Sequence, residues 1–207
     1  MSILNKLASA LNRRDELPNH ELAKQIADKN DKEAVKELVA NLSNKSKDIQ
    51  NDCIKVLYEI GEHKPALIAA YAKEFIELLD HKSNRLQWGA MTAINAITLE
   101  NPKLIYASLA RIIAVADQGS VITKDHAVNI LIKLCSLKQY ADDAFSLLVE
   151  QLLNSPTNQL PMYAEKAMPI INEKNKQLFV KTLSSRLNDI EKETKRKRVE
   201  KAIKKFS

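Results

Sequence analysis

A chain of 207 residues can bury a sizeable core as one domain or one continuous stack, and at 45% hydrophobic residues it is no disordered segment. Three glycines and six prolines are too few for a protein of many strands and tight hairpins, and the abundance of Ala, Leu, Ile, Lys and Glu favours helix. The net charge of +6 lies wholly in residues 192–207, where eight basic side chains meet only Glu193 and Glu200, so the body is charge-balanced and the C-terminus alone is cationic.

In chain order, the stripe Ile3, Leu4, Leu7, Ala8, Leu11 predicts a first helix over about 2–14. A short second helix follows in "LPNHELAKQIADKND", with Asn19 as its expected N-cap. From there the sequence repeats every 37 residues. One column of the repeat is small: Cys53, Ala90, Ala127, Ala164. Two are large: Leu57, Ile94, Leu131, Met168, and Ile60, Ile97, Leu134, Ile171. Earlier in each repeat stand Leu38, Phe75, Ile112, Val149 and Leu42, Leu79, Ala116, Leu153. The expected helix pairs are 31–43 with 46–62, 65–80 with 84–100, 102–117 with 121–136, and 139–154 with 158–172, closed by 175–188 with 190–206. Asn101-Pro102 and Lys64-Pro65 mark equivalent helix starts. The reading is all-α, about eleven or twelve helices, a single domain over 1–207. Residues 1–30 cap its start, 31–174 form four repeats, and 175–207 cap its end. Each pair has an apolar stripe that it buries only on its neighbours.

No apolar run reaches the roughly 18–20 residues that cross a bilayer, and the N-terminal stretch lacks a signal peptide's apolar segment. With Cys53 and Cys135 read as buried structural thiols, the expected location is cytoplasmic.

The second helices resemble HEAT repeats. Their aliphatic position reads Ile49, Leu86, Thr123, Leu160, followed by Gln50, Gln87, Lys124, Pro161 where that family often has a basic residue. The resemblance covers about residues 31–190. It implies a right-handed superhelix, a HEAT-like α-α solenoid, with the second helices on its concave side, and binding of proteins or, in some branches, nucleic acid.

The face opposite the buried columns then carries Asn51, Lys55 and Tyr58 in the first repeat, Trp88, Thr92 and Asn95 in the second, Asp125 and Asn129 in the third, and Met162 and Lys166 in the fourth. Exposed aromatics and Met among polar groups suit recognition, and another protein is the expected partner. The alternative for Trp88 is packing against the preceding repeat.

The C-terminal helix has a narrow apolar stripe (Ile190, Val199, Ala202, Ile203, Phe206) and the favourable pairs Glu191–Lys195, Glu193–Lys197 and Glu200–Lys204. It reads as a capping helix. Its functional alternative is nucleic-acid phosphate contact through Lys195, Arg196, Lys197, Arg198, Lys201, Lys204 and Lys205.

The histidines share no metal-ligand spacing, and no phosphate-cradling glycine loop, nucleophile elbow or HExxH occurs, so neither cofactor nor metal nor catalysis is expected. One enzymatic reading is open by architecture only. Alkylpurine DNA glycosylases built of HEAT-like repeats resemble the chain, with Trp88 and Tyr58 as aromatics and Asp125 as the acid.

Overall fold

The computed structural model describes residues 2–207, which are helical with no strand among them. They form two compact units, of which the first ends at Ala127 and the second is Val128–Ser207.

The first unit opens with a 3-10 turn, Ile3–Lys6, followed by α1 (Leu17–Lys29), α2 (Lys32–Ala40), α3 (Lys47–His63), α4 (Pro65–Ile68), α5 (Ala72–Glu77), α6 (Asn84–Ile97), α7 (Pro102–Ala107) and α8 (Leu109–Gln118). The unit ends inside α9 (Val121–Cys135).

The expected first helix over 2–14 does not form. Ala8 N–H donates to Asn19 Oδ1 at 3.0 Å and Ser9 N–H to Asp52 Oδ2 at 2.8 Å, so both amides leave the helical ladder. Asn12, in the left-handed region at φ 55°, then turns the chain. Asn19 is therefore no N-cap. It is the third residue of α1, in the first turn, buried, and clamps the N-terminal segment to Asp52.

Asp31 caps α2 by accepting from Ala34 N–H, and Ser46 caps α3 by accepting from Ile49 N–H. Pro65 and Pro102 sit in the first turns of α4 and α7, where their missing N–H costs nothing.

The first helices of two expected pairs are broken. Residues 65–80 form α4, a 3-10 turn at Ala69–Tyr71 and α5; residues 102–117 break at Ser108, whose hydroxyl donates back to Leu104 C=O at 2.9 Å. Each of these repeats therefore holds three α-helices rather than the expected two.

Cys53, Leu57 and Ile60 on α3 and Ala90, Ile94 and Ile97 on α6 are fully buried, as are Ala127 on α9, Phe75 and Ile112. Burying each large aliphatic side chain stabilises the unit by about 1.5–3 kcal/mol relative to exposure.

The second unit contains the rest of α9, then α10 (Ala141–Asn154), α11 (Leu160–Ala167), α12 (Lys176–Ser185) and α13 (Glu193–Phe206). Leu131, Leu134 and Ala164 are buried as expected. Three positions depart. Leu153 is exposed and Leu152 takes the core place, four residues after Leu148 on the buried stripe of α10. Met168 and Ile171 are only half-buried because α11 stops at Ala167. Pro169 removes the N–H that would bond Glu165 C=O, and the chain tightens into a 3-10 turn at Met168–Ile170.

α13 is docked within this unit. Ile190, Val199 and Ala202 are buried, and Phe206 meets Phe179 edge-on at 5.8 Å.

Candidate interaction surface

The face expected to be open on α3 is partly covered. Lys55 and Tyr58 are buried, at 5% and 6% exposure, while Asn51 is half-buried. The reason is local to the first unit. α1 packs along α3, and the residues entering it carry Glu16 onto Lys55.

Burial of a lysine requires compensation. Lys55 Nζ lies 2.7 Å from Glu59 Oε1 and 3.0 Å from Glu16 Oε2, and 4.9 Å above the Tyr58 ring. Desolvation pulls its pKa down, but bonds to Glu59, Tyr58 and Glu16 prevail and hold it above the ordinary lysine value. The second carboxylate oxygen of Glu16 takes Arg85, whose guanidinium stacks 4.7 Å from the Trp88 ring. Desolvation opposes ionisation of Glu16, yet the bonds from Arg85 and Lys55 leave its pKa below the ordinary value. Burial raises the pKa of Tyr58. His20 Nδ1 stands 3.1 Å from Glu59 Oε2.

Trp88 is half-buried. Its ring tilts against Tyr58 of the preceding repeat at 5.7 Å and 49°, so the packing alternative holds while part of the indole stays accessible. Thr92 is buried rather than open. Its hydroxyl donates to Trp88 C=O at 2.9 Å and lies 3.0 Å from His126 Nε2 on α9. Asn95 Nδ2 lies 3.1 Å from His126 Nδ1, a pattern that fits an imidazole carrying its proton on Nε2. Asp125 precedes His126 on α9 and is half-buried. The first unit thus joins Lys55, Tyr58, Arg85 and Trp88 around Glu16, while Thr92 and Asn95 meet at His126 and Asn51 lines the cleft beside Glu16 and Arg85.

Glu16, His20, Glu59, Arg85 and His126 were not legible as members of this cluster. Only the i,i+4 spacing of Lys55 and Glu59 signalled a pair; Glu16 arrives from a different helix.

In the second unit Lys166 Nζ donates to Asn129 Oδ1 at 3.1 Å, and Met162 is half-buried. Much of the basic charge of α13 is already engaged. Arg198 makes a two-pronged pair with Glu165, which lowers the Glu165 pKa, and Lys195 bonds Asn158. Lys197 pairs with Glu193 as expected. Glu191–Lys195 does not form, since Glu191 precedes the helix, and Glu200 pairs with Arg196 rather than Lys204. Lys201, Lys204 and Lys205 are exposed, Lys205 leaning over Phe206 at 5.4 Å.

Cys53 is buried and Cys135 half-buried, both free. Among the described residues no group of three or more His, Cys, Asp or Glu is placed to hold a metal ion, and no helix is long and apolar enough to cross a membrane.

No family model matches the sequence, and no curated protein matches it. Among solved structures, the chain is similar to a designed armadillo repeat protein in complex with the peptide (KR)4, at 19% identity and TM-score 0.67 over 100% of both chains. It is also similar to a second designed armadillo repeat protein, at 17% identity and TM-score 0.62, covering 99% of this chain and 100% of the other. A third similarity is to computationally designed armadillo repeat proteins for modular peptide recognition, at 17% identity and TM-score 0.63 with the same coverage. The fold is a helical repeat of the HEAT/armadillo type.

Proposed function

We propose that the chain is a protein-interaction scaffold that binds an extended segment of another protein across the exposed side of α3, α6 and the start of α9. The observation that carries this reading is Trp88, the chain's one tryptophan, fixed between Tyr58 and Arg85 with part of its indole open and amide groups of Asn51 and Asn95 on the same helices. A tryptophan packed between a tyrosine and an arginine has the composition of binding hot spots, which are enriched in these three residue types. The armadillo-type fold supports it, since two of the similar designed proteins are described as peptide-bound or made for peptide recognition. Glycosylase-like chemistry is not favoured. Tyr58 is buried under Lys55, which leaves one accessible aromatic where base stacking needs an open pocket.

Selection of displayed random peptides on the full chain, counter-selected on Trp88→Ala, tests the proposal. Enriched peptides that lose at least about ten-fold affinity on Trp88→Ala, with unchanged helicity, are expected, in line with a hot-spot loss. No enrichment, or binders indifferent to Trp88→Ala, would count against it.

A further inference from the structure

Glu16 stands at the N-cap of α1 yet makes no capping bond; Asp15 accepts from Leu17 N–H instead. Its carboxylate reaches sideways, one oxygen to Lys55 and one to Arg85. Both cations lie over aromatic rings, Lys55 on Tyr58 and Arg85 on Trp88. Together these four groups form a receptor for one carboxylate, and the chain itself fills it.

The two carboxylates around Lys55 differ in freedom. The Glu59 side chain is 13% exposed and sits within α3, while that of Glu16 is 43% exposed. Because Glu16 makes no capping bond, rotation of its side chain would vacate the receptor with no helix-cap bond lost from α1. Ala8 and Ser9 keep their bonds to Asn19 and Asp52 in either case, so the N-terminal segment stays anchored. When Glu16 leaves, Lys55 retains Glu59, but Arg85 loses its ion-pair partner and keeps only the Trp88 face. One net positive charge then stands against a half-open indole. An arriving carboxylate restores the charge balance that Glu16 provided, so the exchange needs no new buried charge.

An open cleft of about 730 Å³ adjoins the receptor, lined in part by Arg13, Glu16, Asp48, Asn51, Asp52 and Arg85. Asp52 is engaged by Ser9 N–H and Asn19, whereas Asp48 lies in the first turn of α3. Arg14 and Asp15 line the same cleft, so guanidinium and carboxylate groups are interleaved along it.

We propose that Glu16 is an internal competitor at the recognition site, and that the partner segment presents one Asp or Glu which takes its place between Lys55 and Arg85 beside Trp88. This rests on the reading of the Trp88 face as a recognition surface, and it adds the chemistry of what that face accepts and a built-in means of lowering its affinity.

The test uses the full chain and three short fluorescein-labelled peptides, Leu-X-Leu flanked by alanines, with X as Glu, Gln or Lys. Binding is read by anisotropy for the wild type, Glu16→Gln, Arg85→Gln and the Glu16→Gln/Arg85→Gln double variant, with helicity checked for each. Glu16→Gln is expected to bind the Glu peptide about ten-fold tighter than the wild type, as removal of a competitor populated about ten to one predicts. The Gln and Lys peptides should show no such gain, and the double variant should lose it. A Glu peptide bound no more tightly than the Gln peptide by Glu16→Gln overturns the inference. If the peptides still depend on Trp88 in that case, the recognition surface itself stands. Absence of binding by all three peptides to Glu16→Gln likewise overturns the carboxylate site, and the displayed-peptide selection then decides the broader reading.

Discussion

Gly89 on α6 faces Ile54 on α3 so closely that a Cβ built on it would lie 2.7 Å from Ile54 Cγ1 and 3.3 Å from Cγ2. Both contacts are to the branch of a β-branched side chain, which cannot swing aside within a buried helix face. The two helices therefore meet at this glycine, one position before the small-residue column.

Gly89→Ala should destabilise the chain by about 1–3 kcal/mol through overpacking, despite the roughly 1 kcal/mol that Ala gains over Gly in helix propensity. Urea unfolding followed by circular dichroism measures it. In an Ile54→Ala background both branch atoms are gone, and the same substitution should cost clearly less. A stabilising Gly89→Ala in the wild-type background would show that the helices are further apart.

Lys55→Met should cost about 3–5 kcal/mol, because Glu59 is left largely buried without its cation. Lys197→Met, which removes an exposed pair with Glu193, should cost about 0–1 kcal/mol. Unfolding midpoints of the two variants make the comparison. Equal, small losses would mean that Lys55 is hydrated.

The contrast between Cys53 and Lys55 shows what was legible. Period and small-large columns located Cys53, Leu57 and Ile60 in the core, because repeats that stack on copies of themselves bury the same positions each time. The face of Lys55 depended on α1, which lies outside the repeat and has no column to announce its contacts. Helix breaks at Ser108 and after Ile68 were hidden for another reason. Ala69 and Ala70 are good helix formers that give no sign of a break, and at Ser108 the break goes with a hydroxyl bonded back to Leu104 C=O rather than with Gly or Pro. On α13 the charge was legible from composition, but its use by Glu165 and Asn158 needed the three-dimensional neighbours.

Acidification should loosen the Glu16 clamp. The folded-state pKa of Glu16 lies below its ordinary 4.5, so its contribution to stability is present above that value and is lost as pH falls through the folded one. Trp88 emission, the chain's only indole signal, should change as pH falls below 4.5. The change attributable to Glu16 should be missing in Glu16→Gln. Identical profiles for both chains would place the transition elsewhere.

Both thiols should be inert in the folded chain. Burial pushes Cys53 and Cys135 up to about 12 from 9.0, which lowers the thiolate fraction roughly a thousand-fold at pH 8. Native protein should react very slowly with a chromogenic disulfide and release two equivalents on unfolding in urea. Rapid reaction of one thiol in the native chain would show it to be open.

Backbone amide mapping by nuclear magnetic resonance, with a peptide recovered by the displayed selection, tests the central claim most directly. Shifts concentrated at Asn51, Arg85, Trp88, Asn95 and Asp125 are the predicted result. Shifts confined to α13 around Lys201, Lys204 and Lys205, with none at Trp88, would contradict it and transfer the binding role to the basic C-terminal helix.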